Sequence, residues 1–340
     1  MDSVTQACLG AAIGGVVMPK LGRRALLLGA ALGTLPDLDV LIDYGDAVAN
    51  FTHHRGFSHS LFVLTGIATL FAGLASCWHR TRTIATFGHW WWLFALCLLT
   101  HPILDAFTTY GTQLLWPLPV RPISWNNLAI IDPAYTLPLL IGVIVFAFRP
   151  SRHRLLSAML ALSCIYIVFS FAAQAYVSSR VHAVLVNRGL EDAPVLIQPA
   201  PLTTLLWRVT VIDDARALDG WVSLFDGRTP ISFTARTLGT HLRDAAMATP
   251  DGRRLAWFCG PFLRYHTASS QTGQELHATD IRLLFPGAHP FVFAIAQRQP
   301  DSAWQPMPSY SVAHDSVDFA TVKRLVARIV APEIHPTASR

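Results

Sequence analysis

The chain has 340 residues, 52% of them hydrophobic and only 14% charged, with a formal net charge of +5. So much apolar content against so little charge excludes an ordinary soluble enzyme. The arginines are scattered and form no stripe that would track nucleic acid, and the five cysteines show no pairing pattern.

Met1-Asp2-Ser3 offers no basic leader, so no cleaved signal peptide is expected. Two apolar stretches come first, at 4–18 and 25–35, split by Pro19-Lys20-Leu21-Gly22-Arg23-Arg24. The second would reach only about 17 Å as a helix, short of a full span. Four longer uncharged runs follow at 61–77, 84–100, 133–148 and 155–177, each close to the roughly 20 residues that cross a bilayer. Beyond residue 178 the charge density rises and the apolar runs shorten. Strands are expected at 205–212, 256–258, 281–285 and 291–295, turns at Asp219-Gly220, Asp226-Gly227 and Asp251-Gly252, and an amphipathic helix at 317–331. The expected architecture is therefore a multi-pass α-helical membrane domain, 1–177, with about six apolar segments. A soluble α+β, mostly β, extracytoplasmic domain follows at 178–340.

The connections between apolar runs differ in charge. One set carries Lys20, Arg23, Arg24, Arg80, Arg82, Arg149, Arg152 and Arg154; the other, 36–60 and 101–132, carries only Arg55 and Arg121. Basic loops stay in the cytoplasm, so the second set and everything after residue 177 are expected outside. Every acidic residue of the first 177 (Asp2, Asp37, Asp39, Asp43, Asp46, Asp105 and Asp132) falls on that outer side. Carboxylates have little influence on topology, and a cation site is one reason for such an asymmetry.

Three clusters at the ends of apolar runs give that site its candidates. Asp37 and Asp39 follow Pro36, and acids two apart on an extended segment point the same way. His54 and His59 flank Arg55-Gly56-Phe57-Ser58, where glycine would let the chain turn and bring both rings together. His101 and Asp105 are four apart and share a helical face unless Pro102 breaks the helix. Any one of these reads as a solvated turn or a capping group. Together they supply the imidazole nitrogens and carboxylate oxygens that hold zinc, manganese or iron. Arg55 would grip a substrate phosphate or carboxylate, or else pair with Asp37 or Asp43.

At these residues the chain resembles the YdjM family, inner-membrane-associated metal-dependent hydrolases described as LexA-binding. The likeness runs through Met1-Asp2-Ser3-Val4-Thr5-Gln6-Ala7-Cys8-Leu9-Gly10-Ala11, Gly33-Thr34-Leu35-Pro36-Asp37-Leu38-Asp39, His54-Arg55-Gly56-Phe57-Ser58-His59-Ser60 and His101-Pro102-Ile103-Leu104-Asp105. It continues to Tyr110-Gly111-Thr112-Gln113 and Ile130-Ile131-Asp132-Pro133, covering roughly 1–177. Many members have histidine where this chain has Gln6. The resemblance implies an all-α fold related to the zinc phospholipase C and P1 nuclease group. An outward-facing site does not suit LexA binding, which is not carried over.

The expected function is a hydrolase of the inner membrane with its site on the periplasmic side. One or two divalent ions, Zn2+ first and Mn2+ or Fe2+ next, would be held by Asp37, Asp39, His54, His59, His101 and Asp105. Asp39 or Asp132 would act as general base, and Arg55 would hold developing negative charge. The partners expected are the bilayer and a lipid-linked or amphiphilic phosphoester or other ester. The alternative is a non-catalytic, metal-stabilised scaffold whose outer domain binds a partner. An ion or solute carrier ranks last, because the long runs carry few polar residues.

Overall fold

The computed structural model describes residues 1–271, 273–284, 291–312, 319–334 and 336. They divide into two units. The first is Met1–Ile42, His54–Phe171 and Pro201–Thr203; the second is Asp43–His53, Ala172–Ala200 and Thr204–Arg340.

The first unit is helical. Helix α1 (Ser3–Val17) starts at Asp2, whose side chain accepts from the Val4 and Thr5 amides. Helix α2 (Arg23–Thr34) returns beside it after the left-handed Gly22. The pair meets backbone to backbone because glycines face one another. A Cβ on Gly10 would lie 2.1 Å from the Gly29 carbonyl oxygen, and one on Gly14 would lie 2.3 Å from that of Ala25. A 3-10 segment, Leu35–Leu41, follows α2. Helix α3 (Ala47–His53) belongs to the second unit. Helix α4 (Leu61–Cys77) is capped by Ser60, and a single turn, α5 (His79–Arg82), leads to α6 (Phe87–Ala106). Pro102 lies inside α6 without ending it. Helix α7 (Pro133–Phe148) takes Asp132 as N-cap and proline at its first position. Helix α8 (His153–Val186) is the longest.

All six expected apolar segments are helices, yet they differ in reach. Phe87–Ala106 and Pro150–Val186 are long and apolar enough to cross a membrane, and Ala47–His59 with Leu61–Cys77, bent by 47°, would make a third span. Ser3–Val17 and Pro133–Phe148 are shorter apolar helices.

The second unit holds two antiparallel four-stranded meanders. One runs β1 (Val195–Pro199), β2 (Leu206–Asp213), β3 (Arg216–Ser223), β4 (Phe233–Thr237) in spatial order. The other runs β5 (Leu263–Ser270), β6 (Gly273–Asp280), β7 (Val292–Arg298), β8 (Gln305–Ser311). Helices α9 (Arg243–Ala248), α10 (Pro250–Cys259) and α11 (Phe319–Arg328) complete it. Arg208 on β2 ties the sheets together: it pairs with Asp219 on β3 at 2.6 Å and donates to the Ile281 and Leu284 carbonyls. Phe51 of α3 packs on Phe258, Phe291 and Phe293, and Arg254 donates to Thr52, which seats the 43–53 segment in this unit.

Several local expectations change. Residues 256–258 are the end of α10, not a strand, because Thr249 caps the helix and Pro250 opens it; those signals outweigh the β preference of Trp257 and Phe258. Asp219-Gly220 lies inside β3, and the turn comes instead at Asp214, which takes φ 52°. Residues 281–283 form a 3-10 turn, and 285 falls outside the described residues. The expected helix at 317–331 is α11, with 317 and 318 outside them too.

Candidate metal centre

Three short elements of the first unit bring the site together. The 3-10 segment after α2 carries Asp37 and Asp39, a second 3-10 turn (Phe57–His59) carries His59, and the last turns of α6 carry His101 and Asp105. The tight turn ahead of His59 falls on Arg55, with φ 61°, whereas Gly56 has an ordinary negative φ. A non-glycine residue in that region is strained and is kept only when its surroundings fix it. Here the Arg55 amide donates to Asp39 Oδ2 at 3.0 Å, and its carbonyl accepts from Gln113.

Four donor atoms converge. His59 Nε2 and His101 Nε2 lie 3.1 Å apart. Asp37 Oδ1 is 3.4 and 3.3 Å from them, and Asp105 Oδ2 is 3.2 and 3.5 Å from them. A tetrahedron of ligands about 2.0–2.1 Å from an ion has edges of about 3.3–3.4 Å, so these separations match a zinc-sized site. Among the described residues this is the one group of three or more such side chains able to hold a metal.

The hydrogen bonds around the ring nitrogens fix the tautomers. His101 Nδ1 lies 2.6 Å from the Gly33 carbonyl oxygen, which can only accept, so Nδ1 carries the proton. Ser58 Oγ donates to Asp39 Oδ2 at 2.6 Å, which spends its one proton. His59 Nδ1, 2.8 Å from the same Oγ, must therefore donate to it. Both Nε2 atoms are left as lone pairs facing each other and two carboxylate oxygens, with His59, His101 and Asp105 fully buried. Four electron-rich atoms meeting in a buried place need a cation between them.

The close α1–α2 approach supplies the backing, since Gly33 both permits it and orients His101. From α1, Gln6 Nε2 donates to the His101 carbonyl and to Asp105 Oδ1, both at 3.1 Å. The Met1 ammonium also reaches Asp105 Oδ1. Arg55, itself buried, sets Nη2 3.3 Å from Asp105 Oδ1, bonds Thr108 through Nη1 and lies over the Tyr110 ring at 4.9 Å.

The remaining candidates sit differently. Asp39 and His54 pair with each other, Oδ1 to Nδ1 at 2.8 Å, beside the four-atom group. Burial works against the Asp39 charge, but His54 and Ser58 hold its carboxyl below the ordinary value. Asp132 caps α7, accepts from Tyr166, and is pushed up by burial. Ser58 and the Gly33 carbonyl are contributors that sequence reasoning does not assign, whereas the Gln6 amide, which the family resemblance leaves open to a role behind the ligands, takes that place on Asp105 and the His101 carbonyl.

The family described as YdjM inner membrane protein matches residues 1–177, slightly more than half of the chain. The chain is 21% identical over 309 residues to "Uncharacterized protein YfhP" of Bacillus subtilis (strain 168), covering 86% of this chain and 90% of that protein. It is 38% identical over 114 residues to "Inner membrane protein YbcI" of Escherichia coli (strain K12), which is 32% of this chain and 61% of that one. No solved structure matches.

Proposed function

Because the chain belongs to the YdjM family of inner membrane proteins, we propose that it is a membrane-bound, metal-dependent hydrolase. Its substrate is a phosphoester, or another ester, of an amphiphilic or lipid-linked molecule at the outer face of the inner membrane. The observation that carries the proposal is the tautomer-locked pair of histidines closing a four-donor set with Asp37 and Asp105. Two nitrogens and two oxygens at tetrahedral spacing favour Zn2+, with Mn2+ or Fe2+ next. When bound, such an ion supplies Lewis acidity to the scissile bond and to a water.

The chain's own residues divide the remaining work. Asp39 orients His54 through Nδ1, and the partly exposed outer edge of that ring is the proton acceptor, so Asp39 acts as base through its partner. Arg55 has an unpartnered, buried Nε beside the donor set and binds a phosphoryl oxygen. Asp132 caps α7 and acts on stability. The basic-loop asymmetry supports an outward-facing site, and the apolar helices support lateral delivery of a substrate from the bilayer.

One feature favours the scaffold alternative: four protein donors are what a closed structural site has. Against it, Asp37 is 21% exposed where the other three are fully buried, which makes it the ligand able to yield, and a partly exposed His54 ring, oriented by Asp39, lies beside it. A screen of metal-loaded protein against aryl phosphodiesters and polyprenyl and diacylglycerol phosphates separates the two. Turnover lost in His59→Ala supports the hydrolase. A metal that stabilises the fold with no turnover on any of these substrates supports the scaffold.

A further inference from the structure

The proposed site has a second side that other positive groups already fill. Asp105 turns Oδ2 toward the two histidines, while Oδ1 accepts from the Gln6 amide at 3.1 Å, faces the Arg55 guanidinium at 3.3 Å and meets the Met1 ammonium. A carboxylate that bridges two ions needs both oxygens free, and this one has a single oxygen to give. Asp39 is closed as well, with His54 on Oδ1 and both Ser58 and the Arg55 amide on Oδ2. The Nδ1 atoms of His59 and His101 are spent on Ser58 and Gly33. Among the histidine and carboxylate atoms of the cluster, that leaves Asp37 Oδ2 and His54 Nε2, one donor short of the three that an open zinc site uses.

Charge gives the same answer. Three buried or half-buried carboxylates (Asp37, Asp39, Asp105) stand against Arg55. One divalent ion brings these groups to neutrality. A second would leave two uncompensated positive charges in a buried place, which is costly.

We infer that this site is mononuclear, with Gln6 and Arg55 occupying the place that a second ion would take and holding Asp105 to one coordinating oxygen. The inference rests on the proposed metal reading. It assigns Gln6 a positioning role, since the amide acts through Asp105 and touches no substrate.

Zinc stoichiometry, measured by elemental analysis after equilibration in buffered zinc with His59→Ala as the blank, tests it without any assay of turnover. Wild type is expected to saturate at one equivalent. The double variant Gln6→Glu/Arg55→Gln removes a cation, adds a carboxylate, and is expected to take two. Two equivalents in wild type, or one in a folded double variant, would overturn the inference. No zinc at all in wild type would sink the metal reading on which it stands. If the double variant fails to fold, the wild-type count decides alone.

Discussion

Two neutral imidazoles do not hold their lone pairs 3.1 Å apart unless something positive lies between them, and both rings here have their other nitrogen committed to a partner. His59→Ala and His101→Ala are accordingly expected to lose the ion outright. Asp39→Asn and Ser58→Ala, which remove no metal-facing atom and disturb the groups behind His59 and, for Asp39, its bonds to His54 and the Arg55 amide, should keep the stoichiometry and weaken affinity by about 10–100-fold. Competition with a chromophoric chelator reads both classes, and an unchanged affinity in Asp39→Asn would contradict the orienting role. The converging residues were legible because ionisable side chains at the ends of apolar runs are few. Their division of labour was not. Whether Asp39 faces an ion or His54 depends on the path of the 3-10 segments, which no spacing in the sequence encodes.

At the scale of elements, the site depends on how closely α1 approaches α2. Gly10→Ala or Gly29→Ala puts a Cβ about 2.1 Å from a carbonyl oxygen of the facing helix, so the helices must move apart. Overpacking of this kind costs about 1–3 kcal/mol. It should also weaken metal binding by shifting Gly33 away from His101, which thermal unfolding with and without zinc would detect. In the second unit, Arg208→Ala strips a buried partner from Asp219 and from two carbonyls, and about 3 kcal/mol of destabilisation is expected in a denaturant melt. The helices were readable from continuous apolar runs. The strands were harder: β2 and β7 carry strong β-formers, whereas β4 (Phe-Thr-Ala-Arg-Thr) is mostly polar and exposed and gives no alternation to read. Trp257 and Phe258 mislead in the opposite direction, since the Thr249 cap upstream of both sets the helix that contains them.

For the molecule as a whole, the sequence could not show that residues 43–53, between Asp39 and His54, belong with the C-terminal unit. Phe51 packs on aromatic residues more than 200 positions away, a contact invisible to any local pattern. Orientation is the other question at this scale. The proposed topology predicts active alkaline phosphatase fused after residue 340 and inactive enzyme fused in the basic connection at 149–154. The reverse pattern would place the site in the cytoplasm and remove the argument for an outer-leaflet substrate.

The most direct test of the central claim is X-ray absorption at the edge of whichever metal co-purifies with the wild-type protein. The account predicts nitrogen and oxygen neighbours only, about 2.0–2.1 Å away if the metal is zinc, with the outer-shell signature of two imidazoles. Sulfur neighbours at about 2.3 Å, or a spectrum without imidazole, would contradict it.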